Sequence, residues 1–219
     1  MKVAIYDFDG TIYKNETFPL MMDHLKTHPT LKVFSKFYRS ILPIYIAYKI
    51  KLYPEAKMKA QMMKRYLHAL LELDENELNV FFADIAEKMH DDYHESVVQS
   101  LQDHKENGFN IMVVSGAYIP LLKSALKGLP VDEIIGTEIP FVNGKIDRSV
   151  NIYHVQAERK KLSIEKSLRD FDVDWENSYA YGDSFSDLPV LEMVGHPVAV
   201  APDEKLKHFA NERQWKVIR

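Results

Sequence analysis

The sequence of 219 residues contains no cysteine. This absence excludes disulfides, a thiolate nucleophile, and zinc or iron–sulfur sites built on cysteine. The sequence also has no visible internal repeat, Gly/Ser-rich linker or low-complexity tract. Only a lysine and a few apolar residues precede Asp7, and this stretch is too short for the apolar core of a signal peptide. We therefore expect a cytoplasmic protein.

The composition is that of a globular protein, with 46% hydrophobic and 27% charged residues. A chain of this length can form one large domain or two small ones and can bury a sizeable core. The net charge of −4 argues against nucleic acid as a partner. The charge is uneven, however, because residues 32–66 carry nine lysines and arginines against Glu55 alone, a net +8 that leaves −12 elsewhere. Such asymmetry can mark a surface that faces an anion.

Four short apolar runs, each ending in a polar or glycine-containing turn, indicate buried strands. They are Val3–Tyr6, Ile111–Val114, Tyr179–Tyr181 and Val198–Val200. Because these runs alternate with helical stretches, they predict an α/β fold with a parallel sheet and crossover helices. The Asn143-Gly144 pair within Phe141–Ile146 predicts a separate β-hairpin.

The stretch from Phe18 to about Ala86 differs from the rest, since it is rich in Leu, Met, Lys and aromatic residues and lacks the strand–turn rhythm. Helical spacing is shown by Leu67, Leu70 and Leu71, and by Leu78, Phe81, Phe82 and Ile85. We interpret this stretch as a helical insertion between the first and second core strands. The α/β core would then comprise residues 1–13 and 97–219, and the helical domain residues 14–96.

Asp7-Phe8-Asp9-Gly10-Thr11 follows the first apolar run and is the most informative motif. If that run is a buried strand, both carboxylates lie just past its C-terminal end, where open α/β sheets bind ligands. Two carboxylates in one small site repel each other unless a cation or a shared proton relieves them. The pair therefore suits a metal, a nucleophile and an acid/base. An ordinary turn uses the same residue types, so the motif alone leaves both interpretations open.

Three further groups have both a chemical and a purely structural interpretation. The acids of Gly182–Asp187 could help to hold a hard cation such as Mg²⁺, or could cap a helix predicted over Ser186–Met193. Ser115-Gly116 is expected to open a helix whose N–H groups could bind an anion, although a plain helix cap is the alternative. Lys160 and Lys161 lie on a predicted helix, where a lysine is usually a solvated surface charge.

Together these motifs resemble those of the haloacid dehalogenase superfamily of phosphohydrolases. The order is Asp-x-Asp-Gly-Thr, an apolar run ending in Ser, a Lys, and Gly-Asp-x-x-x-Asp, and the resemblance covers essentially the whole chain. It implies a Rossmann-like core with a helical cap of the first (C1) type after the first strand, as in the phosphoserine phosphatase-like members of subfamily IB. Asn15-Glu16-Thr17 matches the place where that group carries a Glu after the first motif.

The resemblance implies a Mg²⁺-dependent phosphomonoester hydrolase that acts on a small phosphorylated metabolite. Asp7 would be the nucleophile that forms an aspartyl-phosphate, and Asp9 would serve as acid and then as base. The metal would be held by the carboxylates of Asp7 and Asp183 and the backbone carbonyl of Asp9, with Asp187 orienting the lysine or holding a metal-bound water. Lys160 would neutralise the phosphate, with Lys161 left open. Substrate or phosphate contacts would come from Gly10, Thr11, Glu16, Ser115 and Gly116.

Two departures from phosphoserine phosphatases leave the natural substrate open. Ser115–Tyr118 reads Ser-Gly-Ala-Tyr instead of the usual Ser-Gly-Gly-Phe, and Gln156–Arg159 replaces a glycine-rich approach to the lysine. A phosphotransferase, or a phosphonatase using a cap lysine, is the alternative within the superfamily. A non-catalytic module that binds phosphate or a lipid surface is the alternative outside it. The oligomeric state is also open.

The apolar run Ile41–Tyr48 has basic residues on both sides and also allows two interpretations. It is far shorter than the roughly 20 residues of a membrane span. The core of a helical cap is the favoured interpretation, and a surface that attracts an anionic substrate or lipid is the other. His24 and His28, like His90 and His94, have the spacing of zinc ligands, but nothing completes such a site. We expect both pairs to lie on solvent-exposed helix faces.

Overall fold

A computed structural model describes residues 1–147 and 149–219. Its strands are β1 (Val3–Tyr6), β2 (Asn110–Tyr118), β3 (Glu133–Thr137), β4 (Phe141–Val142), β5 (Lys145–Ile146), β6 (Tyr179–Gly182), β7 (His196–Val200) and β8 (Lys216–Ile218). Its helices are α1 (Thr17–Thr27), α2 (Phe34–Lys49), α3 (Glu55–Ala69), α4 (Glu75–Ala86), α5 (Glu95–Glu106), α6 (Ile119–Ala125), α7 (Glu158–Leu168), α8 (Leu188–Leu191) and α9 (Glu204–Glu212).

Six strands form one parallel sheet in the order β3-β2-β1-β6-β7-β8. The predicted α/β class with a parallel sheet and crossover helices is therefore confirmed. Strand β1 lies between β2 and β6, with Tyr6 level with Val113 on one side and Tyr181 on the other. The chain runs from β1 through β2 to β3 and then returns past β1 to β6, so the direction in which strands are added reverses beside β1. Ligand sites of open parallel sheets lie at the carboxyl ends of the strands at such a point.

Side chains alternate between the two faces of the sheet along each strand, and helices cover both faces. On one face, Val3 and Ile5 pack in a cluster with Ile164 of α7 and Leu206 of α9. On the other face, Tyr6 belongs to a larger cluster that extends through α5 and α6 into helices α1 to α4. The strands are thus buried on both sides, which fits their nearly continuous apolar sequences.

Helices α1 to α4 lie between β1 and β2 in the sequence, as the composition of this stretch predicts. Hydrogen bonds from buried tyrosines connect them to one another and to the sheet. The Tyr118 hydroxyl at the end of β2 donates to the Met63 carbonyl at 2.5 Å, and the Tyr66 hydroxyl donates to the Met21 carbonyl at 2.7 Å. We keep the division into a core of residues 1–13 and 97–219 and a cap of residues 14–96 as a proposal.

The predicted hairpin is confirmed, since β4 and β5 pair antiparallel. Its two turn residues, Asn143 and Gly144, both have positive φ, at 50° and 72°. This is the backbone that a two-residue type I′ turn requires, and Asn-Gly adopts it readily.

The expectation for the histidine pairs is wrong for His24. Its ring is buried 4.6 Å from that of Phe81, because α1 packs against α4 on this face. His90 and His94 do not share a helix, since His90 opens a short 3-10 turn and His94 precedes α5.

Candidate active site

The sheet order brings the first and last predicted motifs together at its carboxyl edge. Asp7 is the first residue after β1, and its backbone N–H donates to the Tyr181 carbonyl of β6 at 2.9 Å. Asp183 directly follows β6. Ser115 lies in the neighbouring strand β2, on the other side of β1. Three segments that are far apart in the sequence therefore form one site.

Lys160 reaches this edge from α7 and joins two of the carboxylates. Its Nζ lies 2.7 Å from Asp7 Oδ1 and 2.6 Å from Asp187 Oδ1, and all three side chains are almost inaccessible to solvent. Lys161 is only half-buried and has no ion pair among the described residues. The structure therefore places Lys160 in the site, while its role in a reaction remains a prediction. Burial alone would lower the pKa of Lys160, but Asp187 and Asp7 raise it well above its ordinary value.

Asp187 is fixed from two sides. Its Oδ2 accepts hydrogen bonds from the Ser184 N–H at 3.2 Å and the Ser184 hydroxyl at 3.0 Å, while Oδ1 accepts from Lys160. This exchange is a capping box at the start of a 3-10 turn, which leads into α8. The helix predicted over Ser186–Met193 is thus shorter than expected. Asp187 thus caps this turn, as one of the two sequence interpretations predicts, and its role in metal binding stays a prediction.

Three carboxylates crowd one small space. Oxygens of Asp7, Asp183 and Asp187 all lie within 4.8 Å of one another. Burial raises the pKa of Asp183 to about 9, with further contributions from the charges of Asp7 and Asp187. Burial and Asp187 likewise raise the pKa of Asp7 to about 6, even though Lys160 lowers it. One lysine does not neutralise three acids, so the site without a further cation favours bound protons.

The donor set fits a hard divalent cation. Mg²⁺ prefers oxygen ligands and is usually held by one or two carboxylates together with water and substrate oxygens. Asp7, Asp183 and Asp187 supply carboxylate oxygens at a spacing that one ion could bridge. The Asp9 side chain is not in this group, which leaves its backbone carbonyl as the predicted ligand.

The side chain of Asp9 is instead held by the start of α1. Its two oxygens accept hydrogen bonds from the Thr17 N–H at 2.9 Å and the Thr17 hydroxyl at 3.1 Å. Burial raises the pKa of Asp9 to about 8, and the charges of Asp7 and Glu16 add to this, although the bonds from Thr17 oppose it. A carboxyl group with this pKa can carry a proton near neutral pH, as a general acid must.

The loop after Asp9 packs tightly against Asp183. Gly10 has φ +73°, and a Cβ atom there would lie 2.4 Å from Asp183 Oδ2. The buried Thr11 hydroxyl donates to Asp183 Oδ1 at 3.3 Å. Glycine is therefore required at position 10 both by the backbone and by the closeness of the carboxylate.

Ser115 does not open a helix, contrary to the sequence expectation. Strand β2 continues through Ser115 to Tyr118, because its pairing with β3 shifts register between Val114 and Tyr118 instead of ending. The Ser115 side chain is buried beside the cavity, and its Oγ accepts a hydrogen bond from the Ala117 N–H at 3.1 Å. The anion-binding site expected at a helix N-terminus is therefore absent at Ser115, which lies instead in the irregular end of a strand.

His154 is a site residue for which the sequence gives no motif. The Thr137 hydroxyl must donate to the Gly116 carbonyl, 2.7 Å away, so it accepts from His154 Nδ1 at 3.1 Å. This fixes the proton on Nδ1. Burial, together with the positive charges of Lys59 and Arg159, lowers the pKa of His154 to about 4. The ring is thus neutral at pH 7 and leaves Nε2 as an acceptor at the cavity wall, where a Cβ on Gly116 would lie 3.4 Å away.

A cavity of about 230 Å³ opens directly onto these groups. Apolar side chains from the inserted helices line its outer part, namely Phe18, Tyr45, Met58, Met62 and Met63. The same part of the cavity is also lined by two charged residues, Glu16 and Lys59. Burial lowers the pKa of Lys59, but Glu16 and Glu55 more than offset this and leave its pKa above the ordinary value. Among the predicted substrate or phosphate contacts, Glu16, Ser115 and Gly116 line the cavity, whereas Gly10 and Thr11 do not.

A family model described as haloacid dehalogenase-like hydrolase matches residues 4–192 of this chain. The chain is 32% identical over 115 residues to a probable phosphatase of Mycobacterium tuberculosis, an alignment that covers 52% of this chain and 40% of that protein. It is 26% identical over 117 residues to a phosphoserine phosphatase of Archaeoglobus fulgidus, covering 53% of this chain and 34% of that protein. The chain thus spans less than half the length of these two relatives.

The fold as a whole resembles a crystal structure of a protein of unknown function from Bordetella pertussis Tohama I. The TM-score is 0.84 at 20% sequence identity, and the alignment covers 100% of this chain and 98% of that one. The inserted helices and the sheet therefore occur together, in this arrangement, in another protein.

Proposed function

Since the chain belongs to the haloacid dehalogenase-like hydrolases, we propose that it is a phosphatase that hydrolyses phosphate monoesters of small molecules with the help of Mg²⁺. The observation that carries the proposal is the buried group formed by Lys160 and the carboxylates of Asp7, Asp183 and Asp187. A structural ion pair needs one acid for its lysine, and burying additional acids costs stability. Such an excess of buried carboxylates is typical of a site that binds cations for a reaction.

The first requirement of the reaction is to neutralise the substrate. A phosphate monoester carries two negative charges and repels a carboxylate nucleophile. Lys160 provides one positive charge next to Asp7, and the hydroxyl of Ser115 can donate to a phosphate oxygen, whereas the N–H groups of Gly10 and Thr11 already donate to the carbonyls of Asn15 and Phe8. Bound Mg²⁺ would supply the remaining positive charge and polarise the phosphoryl group. Positioning and charge stabilisation of this kind account for most of the rate in phosphoryl transfer.

The second requirement is a nucleophile and a proton donor in separate places. An oxygen of Asp7 would attack phosphorus while the bond to the leaving oxygen breaks, and Asp9 would give its proton to that oxygen. In the second half, Asp9 would take a proton from water as the water oxygen attacks phosphorus. The bond between phosphorus and Asp7 then breaks, and the free carboxylate returns. The contacts of Thr17 with both oxygens of Asp9 hold the acid in place for these steps.

The cavity suggests what the leaving group looks like. Glu16 can pair with an ammonium group and Lys59 with a carboxylate, while the three methionines and Phe18 suit an apolar portion. Phosphorylated amino alcohols and amino acids combine these features. Phosphoserine, the substrate named for the Archaeoglobus relative, is therefore one compound to test and not an assumption.

Two alternatives within the superfamily make different demands. A phosphonatase would need a lysine that is readily deprotonated to form an imine. The pKa of Lys59, the cavity lysine of the inserted helices, is raised instead of lowered, which speaks against this chemistry. A phosphotransferase would use the same nucleophile but pass the phosphoryl group to an acceptor alcohol instead of water.

The experiment is a turnover assay with an aryl phosphate and a panel of phosphorylated metabolites, with and without Mg²⁺. We expect phosphate release that needs Mg²⁺ and stops when EDTA is added in excess. Full activity in EDTA would contradict the metal requirement. No release from any compound, by well-folded protein with Mg²⁺, would favour a non-catalytic binding module. Transfer to an added alcohol in preference to water would favour a phosphotransferase.

A further inference from the structure

Exposed apolar side chains are concentrated at the end of α2 and the turn that follows it. Four of them fall within eight consecutive residues: Tyr45 (40% exposed), Ile46 (51%), Ile50 (60%) and Leu52 (76%). Single exposed apolar residues are ordinary on protein surfaces, but a contiguous group marks a binding surface. We name this group, together with Lys49 and Lys51, the tip surface.

The tip surface is built on a well-defined turn. Ile50 is the C-cap of α2, and the next two residues donate hydrogen bonds to carbonyls of the last helical turn. Lys51 N–H donates to the Tyr48 carbonyl and Leu52 N–H to the Ala47 carbonyl, both at 2.9 Å. This is the Schellman arrangement, which normally places a glycine at the residue of positive φ. Here that residue is Lys51, with φ 61°. The turn thus holds Ile50 and Leu52 outward in a fixed, hydrogen-bonded arrangement.

Positive charge surrounds these apolar side chains. Lys49, Lys51 and Lys57 are exposed, and the one acid in this stretch, Glu55, pairs with Lys59 at 3.2 Å. Lys49 also lies 5.3 Å from the ring of Tyr45. Apolar and aromatic side chains bordered by lysines match the interface of an anionic bilayer, where apolar groups enter between lipids and lysines meet phosphate headgroups.

We propose that the tip surface docks this protein on anionic lipid membranes. Two copies of the tip surface facing each other would bring like-charged lysines together, which disfavours self-association through it. None of the helices within residues 1–147 and 149–219 is long and apolar enough to cross a membrane, so the contact is peripheral. The proposal does not depend on the proposed function.

The tip surface also adjoins the candidate active site. Tyr45 belongs to the tip surface and also lines the cavity, together with Asp7 and Lys160. Docking would therefore place the mouth of this cavity close to the headgroup layer. The net charge of +8 in residues 32–66 would then lie next to an anionic surface.

The test uses the full chain and vesicles of phosphatidylcholine, with or without phosphatidylglycerol, in a flotation assay. We expect binding to the anionic vesicles only, weakening as salt is raised from about 0.05 M to about 0.5 M. Absence of binding to anionic vesicles at low salt would overturn the proposal. Equal binding to both vesicle types would overturn the part assigned to the lysines.

Two double variants separate the apolar and the charged contributions to vesicle binding. Ile50→Ser with Leu52→Ser should weaken vesicle binding about tenfold or more, and Lys49→Gln with Lys51→Gly should do so by a similar factor. Glycine at position 51 keeps the turn while removing the charge. Val80→Ser is the matched control, since Val80 on α4 is 61% exposed but lies outside the tip surface.

The Ile50→Ser, Leu52→Ser variant should keep the thermal unfolding midpoint and the turnover of soluble aryl phosphate seen in the unaltered chain. Unchanged vesicle binding by this variant, or an equal loss in Val80→Ser, would overturn the proposal. Size-exclusion chromatography tests the other possible occupant of the tip surface, a second copy of the chain. A dimer that this variant abolishes, with no vesicle binding by either protein, would show that the surface joins two copies of the chain.

Discussion

Lys160 Nζ lies 2.7 Å from Asp7 Oδ1, although 153 residues separate the two in the sequence. The lysine comes from α7 and the carboxylate from the end of β1, so their contact depends on the packing of this helix against the sheet. Asp187 holds the same ammonium from the other side at 2.6 Å. The ammonium is thus shared by two acids in a space that solvent hardly reaches, and this sharing is the basis of the first prediction.

Replacing Lys160 should cost both stability and activity. In Lys160→Met, two buried carboxylates lose their cation, which typically lowers the free energy of unfolding by about 3–5 kcal/mol. Phosphatase activity should fall at least about a hundredfold, since positive charge at the transferred phosphoryl group is lost. Urea unfolding and aryl phosphate turnover measure the two effects.

Lys161→Met is the matched control for that variant. Lys161 is the next residue on α7, is half-buried and has no ion pair among the described residues. We expect its stability to stay within about 0.5 kcal/mol of the unaltered chain and its turnover to change little. A loss of activity in Lys161→Met with normal turnover in Lys160→Met would reverse the assignment.

Gly10→Ala should weaken metal binding more than it weakens the fold. The new Cβ would lie 2.4 Å from Asp183 Oδ2, so the carboxylate must move away from Asp7 and Asp187. We expect the Mg²⁺ concentration for half-maximal turnover to rise about tenfold or more, because a displaced ligand holds the ion less well. A Mg²⁺ titration of turnover measures this.

Gly108→Ala separates steric displacement from backbone strain. Gly108 has a similar φ of +75°, but a Cβ there meets no atom within 4 Å. Both variants should lose about 1 kcal/mol of stability from the strained backbone, and only Gly10→Ala should change the Mg²⁺ requirement. The same Mg²⁺ dependence in both variants would argue against Asp183 as a ligand.

His154 should contribute a loss of stability as the pH falls below neutral, which opposes the gain that Asp9 and Asp183 contribute through their raised pKa values. Burial and the charges of Lys59 and Arg159 lower its pKa from 6.5 to about 4 in the folded chain. Between these values the unfolded chain binds a proton that the folded chain does not. The stabilising contribution is therefore complete above pH 6.5 and is lost as the pH falls toward 4, by up to about 2 kcal/mol between pH 7 and pH 5.

The His154→Asn variant isolates this contribution. The Asn amide can donate to the Thr137 hydroxyl as His154 Nδ1 does, but it does not titrate. Urea unfolding of both proteins is measured at pH 7 and pH 5, in EDTA. On going to pH 5, the free energy of unfolding of His154→Asn should change by up to about 2 kcal/mol in the favourable direction relative to that of the unaltered chain. Identical changes would mean that the folded ring takes up a proton as readily as the unfolded one.

The parts of the structure that depend on local sequence could be predicted. The apolar runs of β1 and β6 match the observed strands to within a residue, and the Asn-Gly turn of the hairpin follows from two residues alone. The sequence also holds a signal that favours Lys160 over Lys161. Lys160 is in phase with Ile164 and Leu168, the buried face of α7, whereas Lys161 is not.

The features that could not be predicted depend on contacts between distant segments. Ser115 stays in a strand because β2 and β3 shift register, and nothing in Ser-Gly-Ala-Tyr indicates such a shift. His24 is buried because Phe81 on another helix covers it. Ala157 has φ 48° just before α7, a conformation expected of glycine, and an alanine gives no sign of it in the sequence.

The most direct measurement of the central claim concerns Asp7. The protein is mixed with Mg²⁺ and aryl phosphate, quenched in acid during turnover, and its peptides are mapped by mass. The account predicts one added phosphoryl group on the peptide that contains Asp7, and neither adduct nor turnover in an Asp7→Asn variant with an unaltered fold. Turnover by Asp7→Asn at a rate close to that of the unaltered chain, or an adduct on another residue, would contradict it.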